Sequence, residues 1–300
     1  MRDVLVVILA GGKGERLYPL TRDRAKPAVP FGGIYRIIDF TLSNCVNANL
    51  RKIQIFTQYK SNSLISHIQR AWSLFRREFD EYLTVTPAQQ MIDEQWYQGT
   101  ADAIYQNIYF IQGARPELVV ILSGDHIYRM DYNFMIDLHI EKKADLTIGC
   151  VEVVKEKATS LGIIEQNEEG RIVGFEEKPR DPKPSPHKPD VALASMGIYV
   201  FNTEVLVRKV IEDAKLDSQH DFGRDIIPSM IGTNQVFAYN FRHPRTGKPE
   251  YWKDIGAVDA FYDAHLDLVG EEPKFDLYDL QWPIWTRQGP HPPARTVFGD

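Results

Sequence analysis

The residues from Leu9 to Leu17, read Leu-Ala-Gly-Gly-Lys-Gly-Glu-Arg-Leu, set Gly11, Gly12 and Gly14 directly behind an aliphatic run. Glycines in that place let backbone N–H groups approach phosphate oxygens closely. Two familiar phosphate loops are excluded by single residues. A dinucleotide fingerprint built on Gly12 and Gly14 needs glycine at position 17, where Leu17 stands. A Walker A loop needs Ser or Thr after its Gly-Lys, and Lys13 is followed by Gly14. Glycines alone are equally compatible with a tight turn that holds no ligand. The cations tip the balance. Lys13 and Arg16 lie in the loop, and Arg24 and Lys26 follow shortly after it. Several cations beside backbone donors suit a triphosphate, whose departing pyrophosphate carries high charge.

Elements that could position such a loop are legible around it. Val4 to Leu9 is a continuous β-branched and aliphatic run of the kind buried on both faces of a parallel sheet, as are Lys52 to Thr57 and Leu118 to Gly124. Helical spacing separates them. Ser61 stands where it would cap a helix carrying Leu64, Ile65, Ile68 and Trp72, and Asp102 to Gly113 carries Ile104, Ile108 and Ile111, with Gly113 suited to its end. Strands alternating with helices predict βαβ units and a doubly wound α/β sheet. The second half predicts a strand over 145–154, a hairpin of 162–165 with 171–176 around Asn167-Glu168-Glu169-Gly170, a loop over 179–190, a strand over 193–201 and helices over 222–231 and 258–269. The parallel sheet is thereby extended into a mixed one. Past Glu271 the pattern fades, and Trp282-Pro283-Ile284-Trp285 opens a proline-rich stretch expected to be an extended tail.

Composition bounds the partners. The 300 residues are 43% hydrophobic and 25% charged, with a formal charge of −6. A mildly acidic chain lacks the basic footprint that nucleic-acid backbones require, while a nucleotide needs only a few placed cations. The apolar run of 4–10 is too short to span a membrane and is followed at once by charge, so neither an anchor nor a secretion signal is expected. Cys45 and Cys150 lack metal-ligand spacing and read as buried thiols of a reducing, cytoplasmic compartment.

Leu9 to Leu17, Arg24 to Pro30 (RAKPAVP), and Phe31-Gly32-Gly33 with Arg36-Ile37-Ile38-Asp39-Phe40 resemble the start of the bacterial glucose-1-phosphate adenylyltransferases. The resemblance continues through Pro87-Ala88-Gln89-Gln90, Trp96 to Asp102 (WYQGTAD), Gly124-Asp125-His126-Ile127-Tyr128, Glu176-Glu177-Lys178-Pro179, Ser195-Met196-Gly197 and Tyr251 to Gly256, and so covers the chain. It implies a Rossmann-like nucleotidyltransferase fold and the reaction of ATP with α-D-glucose 1-phosphate to give ADP-glucose and pyrophosphate, with Mg²⁺, for glycogen synthesis. Matched position by position, it implies catalytic roles for Arg16, Lys26 and Asp125, the first two on the ATP phosphates. Leu9, Ala10, Gly11, Gly12, Gly14, Gln89, Tyr97, Gly99 and Thr100 fall on the nucleotide side. Gly162, Glu177, Lys178, Ser195 and Gly197 fall on the sugar phosphate, with Lys178 on its phosphate. Asp125 and Asp254 would hold the metal. Asp125 lies just past a buried strand, where open parallel sheets bind ligands, and two carboxylates suit a hard cation that keeps sites for phosphate oxygens.

Two departures qualify the resemblance. Relatives continue into a left-handed β-helix domain and form homotetramers. Here residues 1–271 are expected to be the catalytic domain and 272–300 a tail leading toward that domain, so tetramer formation and effector response are not carried over. Asp23 stands where regulated relatives often have a basic residue, and Pro30 where some have histidine; Arg24 and Arg36 stay as candidate effector contacts. The alternatives are a pyrophosphorylase using UTP or dTTP and a non-catalytic regulatory paralogue. Retention of Lys26, Asp125, Lys178 and Asp254 argues for catalysis.

Overall fold

In the first strand, β1 (Val4–Ala10), alternate side chains enter different cores: Val4, Val6, Ile8 and Ala10 one, Leu5 and Val7 the other. A strand sandwiched in this way has no polar face, which is why its sequence reads as one apolar run. The computed structural model describes residues 3–89, 96–185 and 188–287. After β1 come the short pair β2 (Pro30–Phe31) and β3 (Tyr35–Arg36), then α1 (Ile37–Asn47), β4 (Lys52–Thr57), α2 (Asn62–Ala71), β5 (Tyr82–Pro87), α3 (Thr100–Gln106), α4 (Ile108–Ala114) and β6 (Leu118–Ser123). The second half runs β7 (His126–Tyr128), α5 (Tyr132–Glu141), β8 (Leu146–Val154), β9 (Gly162–Gln166), β10 (Ile172–Glu177), β11 (Val191–Asn202), α6 (Thr203–Asp213), α7 (Ile227–Met230), β12 (Val236–Asn240), β13 (Trp252–Asp254) and α8 (Val258–Leu266).

Among the described residues the central sheet has nine strands, in the order β10-β9-β11-β6-β1-β4-β5, with β8 pairing β11 and β12. Strands β6, β1, β4 and β5 are parallel, and β11 runs antiparallel beside β6 and β8. The fold is therefore α/β with a mixed sheet, as the sequence pattern predicts. Long β11 bends through a register shift between Ser195 and Tyr199, with Gly197 at φ 66° inside it. Strand β13 pairs with β7 in a separate two-stranded sheet, and this pairing carries Asp254 opposite His126.

Several local expectations are corrected. The helix expected over 102–113 is two helices, broken at Asn107, and Gly113 lies inside α4; the chain turns instead at left-handed Arg115. Ser61 precedes α2 in a helical conformation and its side chain caps nothing. The stretch 222–226 is a π-turn, whose first amides are taken by Asp221, and only 227–230 is α-helical. Residues 282–286 have neither helix nor strand, yet they are docked. Ile284 is buried with Leu17, Phe31 and Phe40, Trp282 Nε1 donates to Asn44 Oδ1 at 2.8 Å, and Thr286 Oγ1 donates to Asp39 Oδ2 at 2.7 Å. Asp39 is fully buried and also receives Trp72 Nε1 at 2.9 Å and the Arg36 amide at 2.8 Å. Cys45 and Cys150 are free and buried, and burial pushes both thiols up. Among the described residues no helix is long and apolar enough to cross a membrane.

Candidate active site

The C-terminal ends of β1 and β6 open onto two cavities. The first, of about 420 Å³, is lined by Leu9, Gly11, Gly12, Gln58, Tyr97, Gly99, Thr100, Ser123, Asp125 and Asp221, among others. Six of the residues expected on the nucleotide side meet there. Ala10 stays in the strand, its carbonyl accepting from Thr57 Oγ1 at 3.2 Å. Gly14 shapes the loop rather than the cavity: its φ is 66°, and an added Cβ would stand 2.9 Å from Thr21 Cγ2. Gln89 is exposed at the end of a described segment and is not among the described lining residues. Gly99 is required by close packing, because a Cβ there would lie 2.2 Å from the His220 carbonyl oxygen.

The second cavity, of about 250 Å³, gathers all five residues expected on the sugar phosphate, Gly162, Glu177, Lys178, Ser195 and Gly197. Gly162 is needed because a Cβ would stand 2.5 Å from Phe175 Cζ. Lys178 has φ 52° and its Nζ lies 2.8 Å from Glu177 Oε1. Ser123 lines both cavities, so the two share a wall. Its hydroxyl donates to Asp125 Oδ1.

Between them sits a charged cluster. Lys26 Nζ lies 2.5 Å from Asp125 Oδ2 and 3.0 Å from Asp254 Oδ1. Burial alone would pull the Lys26 ammonium's pKa down, but the two carboxylates more than offset this and hold it above the ordinary lysine value. Burial opposes ionisation of Asp125 as well; Lys26, His126 and the Ser123 hydroxyl outweigh it and hold the carboxyl well below the usual range. His126 Nε2 lies 3.4 Å from Asp125 Oδ1 and 4.0 Å from Asp254 Oδ1, and its ring meets Trp252 edge-on at 5.0 Å. Ligand atoms of Asp125, His126 and Asp254 fall within 4.8 Å of one another. An ammonium already bridges the two carboxylates, so the donor set is spaced to embrace one cation, and anionic oxygens are what a hard divalent ion takes.

Arg16 is placed apart from the first cavity. It lines a third one with Trp252, Asp254 and Gly256, and its Nη2 is 3.5 Å from where a Gly256 Cβ would stand. Arg36 lines a separate cavity of about 540 Å³ with Ser63, His67, Arg70 and Arg287. Sequence reasoning missed Ser123, Asp221 and Trp252. Asp221 stands directly before the helix-like run 222–231 and could have been read as its cap; no sequence signal placed it in the nucleotide cavity.

A family model described as nucleotidyl transferase matches residues 5–271. Glucose-1-phosphate adenylyltransferase of Methylococcus capsulatus is 53% identical over 300 residues, which are all of this chain and 71% of the relative. The chain belongs to the glucose-1-phosphate adenylyltransferase family of nucleotidyl transferases. Two more members of that family and of that name, from Rhodopirellula baltica and Hydrogenovibrio crunogenus, are 53% and 54% identical over the whole chain and 68% and 71% of their own length. Family membership makes this an enzyme of nucleotidyl transfer, and Asp125, His126 and Asp254 its candidate metal group.

Proposed function

We propose that the chain transfers the adenylyl group of ATP to α-D-glucose 1-phosphate, giving ADP-glucose and pyrophosphate for glycogen synthesis in the cytoplasm, with residues 1–271 as the catalytic unit. The observation that carries this reading is the pair of cavities sharing Ser123, with Asp125 and Lys26 at their junction. The sugar phosphate's oxygen attacks the α-phosphorus of ATP, the bond from that phosphorus to the β-bridging oxygen breaks, and pyrophosphate leaves with the electron pair. No covalent enzyme intermediate is required, so the protein's work is positioning and charge neutralisation. Tyr97 and Gly99 form walls for the base. The loop amides at Gly11 and Gly12 and the Lys26 ammonium take the triphosphate, with Arg16 meeting its outer phosphates from the neighbouring cavity it shares with Asp254. Lys178 holds the phosphate of the sugar, and Glu177, Ser195 and the Gly197 backbone face its hydroxyls. Mg²⁺ held by Asp125 and Asp254 would neutralise phosphate charge when bound.

The test is pyrophosphate release from glucose 1-phosphate with each of the four common nucleoside triphosphates, with and without Mg²⁺. ATP is expected to give turnover above UTP and dTTP. Asp125→Asn is expected to abolish Mg²⁺-dependent turnover while circular dichroism stays unchanged; near-normal activity in that variant would sink the metal assignment.

A further inference from the structure

The segment 218–223 lines the nucleotide cavity through Asp221 and packs against Glu177 and Tyr199 of the sugar cavity, and a pair of side chains, Asp213 and His220, holds it. Asp213 ends α6 with little exposure. Its Oδ2 lies 2.8 Å from His220 Nδ1, and its Oδ1 accepts from Ser218 Oγ at 2.9 Å. A carboxylate only accepts, so Nδ1 is the donor of that pair. Ser218 Oγ in turn accepts the His220 amide at 3.1 Å, closing the turn on itself. His220 has φ 52°, a left-handed conformation that a non-glycine residue keeps only when its surroundings hold it.

What the pair holds is the His220 carbonyl and the residues after it. That carbonyl accepts the amides of Ala101 at 2.8 Å and Asp102 at 3.2 Å, and it packs against Gly99 so closely that no side chain fits between them. Next in the chain, Asp221 Oδ2 accepts Thr100 Oγ1 at 2.9 Å, while Thr100 Oγ1 accepts the Phe222 amide at 3.0 Å. Gly99, Thr100 and Asp221 all line the nucleotide cavity. Two residues on, Gly223 abuts Glu177, where an added Cβ would stand 2.6 Å from Oε2. Phe222 packs on Tyr199 with ring centroids 5.5 Å apart, and Glu177 and Tyr199 line the sugar cavity.

We infer that Asp213 and His220 are positioning residues for both substrates: the pair fixes one turn that forms a wall of the nucleotide cavity at Asp221 and backs Glu177 and Tyr199 of the sugar cavity. This rests on the two-cavity reading above. The pair touches neither cavity, so it acts through Thr100 and Asp221 on one side and Glu177 on the other.

The experiment is calorimetric binding of α,β-methylene-ATP and of glucose 1-phosphate to the full chain, with thermal melting of each variant. His220→Gly keeps the backbone conformation and removes the side-chain donor. It is expected to weaken both ligands by about tenfold, within what a 1 Å misplacement of a binding group costs. His220→Asn tolerates the same backbone and can return an N–H to Asp213, so it is expected to restore both affinities to within about twofold. A folded His220→Gly that keeps either affinity, or an Asn variant that rescues neither, overturns the inference. Should His220→Gly not fold, Ser218→Ala removes one bond to Asp213 and the acceptor of the His220 amide while leaving the Asp213–His220 pair, and must weaken both ligands; unchanged affinity for either overturns it. If the wild-type chain binds neither ligand, the proposed function falls and this inference with it. Binding by wild type together with unaffected variants removes the inference alone.

Discussion

Lys26 carries the sharpest expectation at the scale of single residues. Its ammonium separates two carboxylates that would otherwise repel one another, with Asp125 held ionised although burial opposes it. Lys26→Met is therefore expected to lower the melting temperature in chelator by about 5 °C, since leaving paired charges uncompensated at this partial exposure costs about 2 kcal/mol. Part of the loss should return with Mg²⁺, which would take up the same carboxylates; a melt insensitive to Mg²⁺ contradicts the shared position. In pyrophosphate release, kcat should fall by about 10²–10³, the usual loss when one charge-stabilising donor is removed. Lys178 offers a second case. Its left-handed backbone is a cost of about 1 kcal/mol at a residue proposed to hold a phosphate. Lys178→Gly should melt above Lys178→Ala, although both lose affinity for glucose 1-phosphate; equal melting of the two would show that the backbone carries no such cost.

Elements explain which of these residues could be read in advance. The strands that end at the site were legible because they are buried on both faces: 52–57 is the observed β4, and 118–124 overruns β6 by one residue. The cavity-lining loop residues Gly11, Gly12, Asp125 and Lys178 were also legible, being tied to strand ends. Edge strand β5 escaped notice because its residues are mostly half-buried and Thr84 and Thr86 interrupt the apolar pattern. The break at Asn107 was hidden because Ile104, Ile108 and Ile111 keep helical spacing through it; bonds from Asn107 Nδ2 to Tyr97 Oη and to the Ala103 carbonyl four residues back decide the geometry there. Why Gly99 must be glycine was equally hidden, since the reason is a carbonyl 121 residues away. Gly99→Ala forces α3 away from the 219–220 turn. It is expected to cost about 1–3 kcal/mol, as overpacking does, and to weaken nucleotide more than sugar phosphate in calorimetry. Unchanged nucleotide affinity would detach that turn from the nucleotide cavity.

The whole molecule ties β13, the strand of Asp254, to the end of α8. Asp267, just beyond α8, accepts Lys253 Nζ and Lys274 Nζ at 2.7 Å each and Tyr251 Oη at 2.9 Å. Burial would raise its carboxyl, but these donors outweigh it and pull the carboxyl down to about 2, below the ordinary aspartate value. The folded state thus binds fewer protons here than the unfolded chain, so the stabilisation is complete above pH 4 and is lost as pH falls toward 2. It amounts to about 2 kcal/mol. Asp267→Asn should flatten that part of the wild-type acid-unfolding curve, and an unaltered curve would show that the contacts do not persist in solution. Lys253 precedes Asp254, so β13 is anchored through the same carboxylate. At this scale the docked segment 282–286 has a further consequence, for synthesis. Asp39 is sealed in the N-terminal half, and one of its donors, Thr286, is 247 residues downstream. At about 5–20 residues per second that donor emerges roughly 12–50 s after Asp39 does. The first half of the sheet must therefore wait on the ribosome with β6 lacking its neighbour β11 and Asp39 lacking Thr286. The nascent chain is thereby exposed to edge pairing for longer than any of its helices takes to form.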